Sequence, residues 1–175
     1  SFLTLQRDLE DRLVHQAFHD PLTSLANRAL FTNRVDHALV RLRRRNGAVG
    51  VLFLDLDDFK RINDSFGHAM GDTVLTAVAE RILGCVRSND TVARLGGDEF
   101  AVLVEDSDDP RVSAVVAERI MRAMAPTFSV AGREIEVSCS IGVAVALSDQ
   151  GTGADLLRDA DVAMYAAKGH CKNHI

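Results

Sequence analysis

Val49-Gly50-Val51-Leu52-Phe53-Leu54-Asp55-Leu56-Asp57-Asp58 is the stretch that decides the fold. Its apolar run, which begins at Ala48, predicts a strand buried on both faces, because a strand with one wet face would alternate polar and apolar residues. The run delivers the chain straight into carboxylates. Asp55 and Asp57 stand two apart, so on an extended backbone both project to one face and Asp58 to the other. A central strand that ends in acids is therefore the first site candidate.

Working outward, Thr91 to Leu95 and Phe100 to Val104 read as short strands joined by Gly96-Gly97-Asp98-Glu99. A Gly-Gly pair between such runs signals a hairpin, since both glycines accept positive φ. That tip also carries carboxylates. Asn27 caps a helix through Leu30, Phe31, Val35, Ala38, Leu39 and Leu42 that Gly47 stops, and Gly71-Asp72 opens a core helix with Val74, Leu75, Val78, Ala79, Ile82, Leu83 and Val86 on one face. Pro110 suits the first turn of a helix through Val112, Val116 and Ile120. Phe128, Val130, Ile135 and Val137 alternate around Ala131-Gly132-Arg133, giving a second hairpin that runs on into Ser140-Ile141-Gly142-Val143-Ala144. Leu157, Ala160, Ala163, Met164 and Ala167 mark a closing helix, and Leu5, Leu9, Leu13 and Ala17 mark an amphipathic linker helix over residues 1–18. Two hairpins among helices, with one crossover between parallel strands, predict an α+β fold whose central, mostly antiparallel sheet is flanked by helices.

The 175 residues are 47% apolar and 26% charged, with 20 Lys and Arg against 25 Asp and Glu, a formal net charge of −5. A domain of this size buries roughly 70% of its unfolded surface, so no disulfide or metal is needed to hold a core. Disorder and collagen are excluded, and the longest apolar stretch is far below the ~20 residues of a membrane span. No secretory signal opens the chain. Cys85, Cys139 and Cys171, an odd number without metal-type spacing, read as reduced packing thiols of a cytosolic protein. The acidic excess argues against nucleic acid as a partner and leaves room for an anionic ligand carried on a cation. Arg41, Arg43, Arg44 and Arg45 read as a solvated last helical turn.

With Asp98 on a strand beside Asp55, two carboxylates and the Leu56 carbonyl would meet around one hard cation, and Mg²⁺ shares itself between one or two carboxylates and substrate phosphates. Lys60 is placed to neutralise phosphate, and Asn63 with Asp72 to pair with a planar purine edge. Each has a plain alternative: Lys60 as a solvated helix residue, Asn63 and Asp72 as caps, His68 as a turn residue, the acids as turn acids. No Walker loop, dinucleotide glycine fingerprint or zinc-protease motif is present.

Arg94-Leu95-Gly96-Gly97-Asp98-Glu99-Phe100 carries a Gly-Gly-Asp-Glu-Phe signature, and with it the chain resembles the GGDEF domain, the diguanylate cyclase family. The resemblance runs from His19-Asp20-Pro21-Leu22-Thr23 and Asn27-Arg28, through Phe53 to Lys60 and Ile62-Asn63-Asp64, to Gly67-His68, Gly71-Asp72, Ser140 to Ala144, Ala163-Met164-Tyr165 and Ala167-Lys168. The linker helix thus precedes a domain over residues 19–175.

That resemblance implies a fold like the palm of polymerases and class III adenylyl cyclases, and condensation of two GTP to cyclic di-GMP and two pyrophosphates, a bacterial second-messenger reaction. It implies Mg²⁺, with Mn²⁺ as a substitute, on Asp55, Leu56 and Asp98. Asp98, or its neighbour Glu99, would assist deprotonation of the 3′-hydroxyl, and Lys60 would stabilise the transition state. Phe59, Asn63, His68, Asp72, Gly96 and Gly97 would bind the nucleotide, with Lys168 and Lys172 near the phosphates. Arg87-Ser88-Asn89-Asp90, with five residues between Asp90 and Gly96, matches an inhibitory product site at Arg87 and Asp90; by composition alone it is a helix end with a turn acid. One domain holds one GTP, so a homodimer is required for turnover. No nucleic acid and no membrane contact is expected of this segment.

Two departures stand out. Ser24 replaces the family's usual Gly, in a loop where Gly permits φ values that Ser resists. Cys171-Lys172-Asn173 replaces Gly-Arg-Asn, turning a bidentate phosphate clamp into a point charge. Both predict weaker GTP affinity. The chain is expected to be a piece of a longer cytoplasmic or membrane-attached protein. Alternatives to a cyclase are a regulatory module that binds GTP or cyclic di-GMP, and a structural dimerisation domain built on residues 1–18.

Overall fold

The run from Ala48 to Leu56 is strand β1, and only Asp55 within it is not fully buried. β1 is flanked by β3 (Glu99–Ser107) and β6 (Cys139–Ala146), and β2 (Thr91–Gly96) adds to the outer edge of β3, giving the order β2-β3-β1-β6. The computed structural model describes residues 1–148 and 151–170. Successive β1 residues enter opposite layers. Leu52, Leu54 and Leu56 pack with Val74, Leu75, Val78 and Ile82 of α4 (His68–Leu83) and with Val116, Ala117 and Ile120 of α5 (Val112–Met124). Val49, Val51 and Phe53 pack with Phe31, Val35 and Leu39 of α2 (Arg28–Leu42) and with Leu156, Leu157, Ala160 and Met164 of α6 (Gly153–His170). Helices on both faces account for the unbroken apolar run.

The sheet is more antiparallel than expected. All its strand pairs run antiparallel, because β6 returns alongside β1 in that sense. The one parallel pairing among the described residues is the isolated bridge between Ala26 and Ala93. α6 lies close on β6 because Gly142 has no side chain: a Cβ there would stand 2.0 Å from the Ala160 carbonyl oxygen and 2.2 Å from the Met164 nitrogen.

Four boundaries differ from expectation. α4 opens at His68, ahead of Gly71-Asp72, because Gly67 at φ +87° already turns the chain out of the short helix α3 (Phe59–Phe66). α2 stops at Leu42, well before Gly47, where the Arg43 and Arg44 amides close a tighter last turn on Val40 and Arg41. α5 begins at Val112, so Pro110 precedes the helix instead of lying in its first turn. Strands β4 (Phe128–Val130) and β5 (Arg133–Ile135) form a separate two-stranded sheet and do not run on into β6. Between β5 and β6 the Ser138 carbonyl is held instead by the Asp57 amide at 2.8 Å. The stretch expected to be helical at the start of the chain forms helix α1 (Phe2–Phe18), which is exposed throughout, Phe2, Leu5, Leu9 and Leu13 included.

Candidate active site

Asp55 lies at the carboxyl end of β1, where its Cα pairs with Glu99 of β3 on one side and Ser140 of β6 on the other. The turn after β2 brings Asp98 against it. Gly96 and Gly97 hold φ values of +140° and +51°, and Arg94 donates to the Gly97 carbonyl through Nε at 3.0 Å and Nη2 at 2.8 Å. The Leu56 amide donates to the Asp98 carbonyl at 3.2 Å. These bonds fix the hairpin tip against the central strand.

The two carboxylates meet. Burial, and then the negative charge of Asp55 and a hydrogen bond to it, push the Asp98 carboxyl up to about 6. Glu99 is raised for the same first two reasons, burial and Asp55, against an opposing pull from Arg28, whose Nη2 stands 3.9 Å from Glu99 Oε2. Lys168 of α6 places Nζ 2.9 Å from Asp55 Oδ2. Burial opposes its ammonium, but Asp55, with Asp57 and Asp98 behind it, holds Lys168 above its ordinary range.

Asp57 shares the face of Asp55, as the spacing predicts, and has a different occupation. It is buried and accepts from Ser140 Oγ at 2.9 Å and Ser138 Oγ at 3.0 Å, which ties the strand end to β6. The carboxylates left to face each other are therefore Asp55 and Asp98. Among the described residues no group of three or more His, Cys, Asp or Glu side chains is arranged for a metal. Two carboxylates fit Mg²⁺, which completes its octahedron with water and phosphate oxygens, and the ammonium already seated on Asp55 shows that the corner accepts a cation.

The nucleoside-binding candidates follow directly. Phe59 is buried at the start of α3 and Lys60 is exposed beside it. Lys60 and Asn63 share one helical face, as do His68 and Asp72 of α4. The Asn63 side chain lies over Gly71, where a Cβ would stand 1.9 Å from Oδ1, so the two helices meet beside Asp72. His68 and Asp72 are exposed. Lys172 lies outside the described residues.

The Arg87-x-x-Asp90 turn is built differently. Asp90 Oδ2 accepts from the Arg87 amide at 2.9 Å, and Oδ1 from the Glu105 amide at 3.2 Å. Arg119 of α5 lines the same small pocket and donates to the Cys85 carbonyl at 2.9 Å. No local sequence signal marks Arg119 for this place; Arg28, Arg94 and Asp20, by contrast, sit inside the matching motif blocks without a role that spacing alone assigns. Asp20 accepts from Arg94 Nη1 at 2.9 Å and from the Thr23 amide and hydroxyl at 2.8 and 2.7 Å. Burial opposes the charged carboxylate, but the Thr23 bonds and Arg94 hold Asp20 below its ordinary range. Ser24 in that loop has φ +60°, the left-handed conformation that a Gly would adopt without strain.

The family profile "Diguanylate cyclase, GGDEF domain" matches residues 17–174. Diguanylate cyclase TpbB of Pseudomonas aeruginosa is 47% identical over 163 residues, covering 93% of this chain and 38% of that protein. The bifunctional diguanylate cyclase/cyclic di-GMP phosphodiesterase MucR of the same organism is 42% identical over 161 residues, covering 92% and 23%. The chain thus spans well under half the length of these relatives. The coiled coil and GGDEF domain of DgcB from Caulobacter crescentus, solved in complex with c-di-GMP, superposes with a TM-score of 0.87 at 27% identity, covering 98% of this chain and 91% of that one. The fold is therefore that of GGDEF domains, the palm- and cyclase-like fold that the resemblance implies. No helix of the described residues is long and apolar enough to cross a membrane. A signature hairpin pinned against a strand-end carboxylate, on this fold and over nearly the whole length, makes the chain a member of the GGDEF domain family.

Proposed function

We propose that the chain is a diguanylate cyclase, condensing two GTP into cyclic di-GMP and two pyrophosphates where two copies face each other. The observation that carries this reading is the contact between Asp55 and Asp98, two like charges pressed together at the end of a buried strand with Lys168 alongside. Such an arrangement weakens a fold and suits a site.

Asn63 and Asp72 hold the guanine edge, with His68 and Phe59 beside it, while the exposed Gly96-Gly97 tip lets the nucleotide approach the backbone. Lys60, Lys168 and Lys172 neutralise the phosphates. Asp55, the Leu56 carbonyl and Asp98 would hold Mg²⁺ or Mn²⁺, which supplies charge neutralisation at the phosphates. Asp98, or Glu99 beside it, is placed to accept the proton of the attacking 3′-hydroxyl. The 3′-oxygen bonds to the α-phosphorus of the GTP on the facing copy, and the bond to pyrophosphate breaks. The same step in reverse orientation closes the ring, so each copy contributes one nucleotide and turnover requires a dimer. Arg87 and Asp90 bind product and slow the enzyme.

The second reading is a regulatory module that binds GTP or cyclic di-GMP without turnover, favoured by the similarity to cyclic di-GMP phosphodiesterase PdeR of Escherichia coli, 37% identical and named for the opposite reaction alone. Asp98→Ala separates them. Under the first reading the wild type makes cyclic di-GMP from GTP and Mg²⁺ and the variant does not, while under the second neither makes product and the variant loses only metal-dependent nucleotide affinity. GTP binding without product in the wild type refutes the first reading.

A further inference from the structure

The Lys168 ammonium sits on a carboxylate that the cation would need. Nζ stands 2.9 Å from Asp55 Oδ2, with the Asp55 side chain 18% exposed and that of Lys168 32%. The carboxylate is thus largely withdrawn from water, while the lysine keeps an open side toward solvent. A Mg²⁺ ion on the same oxygen, at its ~2.1 Å contact distance, would stand roughly 5 Å or less from the ammonium, inside a Debye length of about 8 Å. The two cations repel each other at that separation, so the ammonium weakens the corner's hold on a divalent ion. Lys168 lies in the last turn of α6, on a flexible four-carbon stem, so its head can leave while the helix stays seated on Gly142.

We propose that Lys168 is an internal cation that closes the metal subsite until a nucleoside triphosphate draws it away. The inference rests on reading Asp55 and Asp98 as the metal and nucleotide corner. Without nucleotide, the ammonium satisfies Asp55 and disfavours a divalent ion. The triphosphate carries more negative charge than Asp55 alone, so it recruits the lysine head and frees the carboxylate. Metal and nucleotide then bind with positive coupling beyond their direct contact, and by linkage each strengthens the other by the same factor. The corner is thereby kept from loading with free metal, and the metal enters with its nucleotide.

The test measures Mn²⁺ binding by electron paramagnetic resonance, without nucleotide and with a non-hydrolysable GTP analogue, on wild type, Lys168→Met and Lys168→Arg. Without nucleotide, Lys168→Met binds Mn²⁺ at least about fivefold more tightly than wild type. Lys168→Arg, which keeps a cation at the position, stays within about twofold of wild type. The analogue strengthens Mn²⁺ binding by a smaller factor in Lys168→Met than in wild type. An unchanged far-ultraviolet spectrum checks the fold, and Lys168→Gln replaces the Met variant if it is lost. No gain in nucleotide-free affinity, while wild type binds Mn²⁺ with the analogue present, overturns the lock and leaves the functional reading intact. Absence of Mn²⁺ binding even with the analogue overturns the reading of the corner itself and the lock with it.

Discussion

Two acidic turns lie within one short stretch of chain and are built to opposite ends. At Asp90, both carboxylate oxygens are taken by backbone amides, those of Arg87 and Glu105. At Asp98, the carboxylate faces another carboxylate and is pushed up to about 6. The first arrangement holds a turn together, and the second costs stability to keep charge concentrated at a strand end. Asp57 beside Asp55 makes the same point within two residues: its oxygens accept from serines, and it belongs to the scaffold.

The contrast can be broken by substitution. The largest effect is expected from Asp98→Ala, which lowers cyclic di-GMP formation by at least about a hundredfold. Its melting temperature does not fall, because a like-charge contact is removed; a marked drop would place Asp98 with the structural acids. Asp90→Ala is expected to do the reverse, losing about 2 kcal/mol of stability in urea unfolding as two charge-assisted backbone bonds disappear. Initial product formation per folded molecule stays near wild type in that variant, while the response to added cyclic di-GMP weakens. An Asp90→Ala protein of undiminished stability would contradict the structural half of the contrast.

Asp20 offers a finer test, since its ion pair with Arg94 supports the Gly97 carbonyl behind the signature tip. Asp20→Asn is expected to cost about 1.5 kcal/mol at pH 7. The Asp20 carboxyl is held below its ordinary 3.8 in the folded chain, so its contribution is present above that value and is lost as pH falls through the lowered one. Unfolding curves of wild type and Asp20→Asn therefore converge as pH drops below about 4. A gap independent of pH would assign the loss to packing. The smallest effect is a gain: Ser24→Gly relieves the strain at φ +60° and stabilises by about 1 kcal/mol. Loss of stability there would mean that the serine conformation is compensated by its neighbours.

Much of this architecture is legible in the amino-acid sequence alone. The unbroken apolar run into Asp55 identifies a strand covered on both faces, and the Gly-Gly tip identifies the hairpin that carries Asp98, since both depend on local periodicity and on φ. What separates Asp55 from Asp57 is not local. It depends on Ser138 and Ser140, which lie more than eighty residues further along the chain and return beside β1 only in the fold. Gly71 is legible as a special position and misleads about its role: it opens no helix and instead lets the Asn63 side chain lie against α4. Arg94, Arg28 and Arg119 look like ordinary surface arginines until the fold supplies their partners. The Ser24 departure, by contrast, is a backbone constraint, and the positive φ expected for that loop is found there.

The central claim is that the acidic corner is an active site completed by a second copy. Cyclic di-GMP formed from saturating GTP and Mg²⁺ should be measured across a wide series of protein concentrations. Product is expected to appear, with activity per molecule rising with concentration toward a plateau as monomers pair. Activity per molecule that is constant down to concentrations where the chain is monomeric would contradict the two-copy site, and bound GTP without product at any concentration would contradict the cyclase.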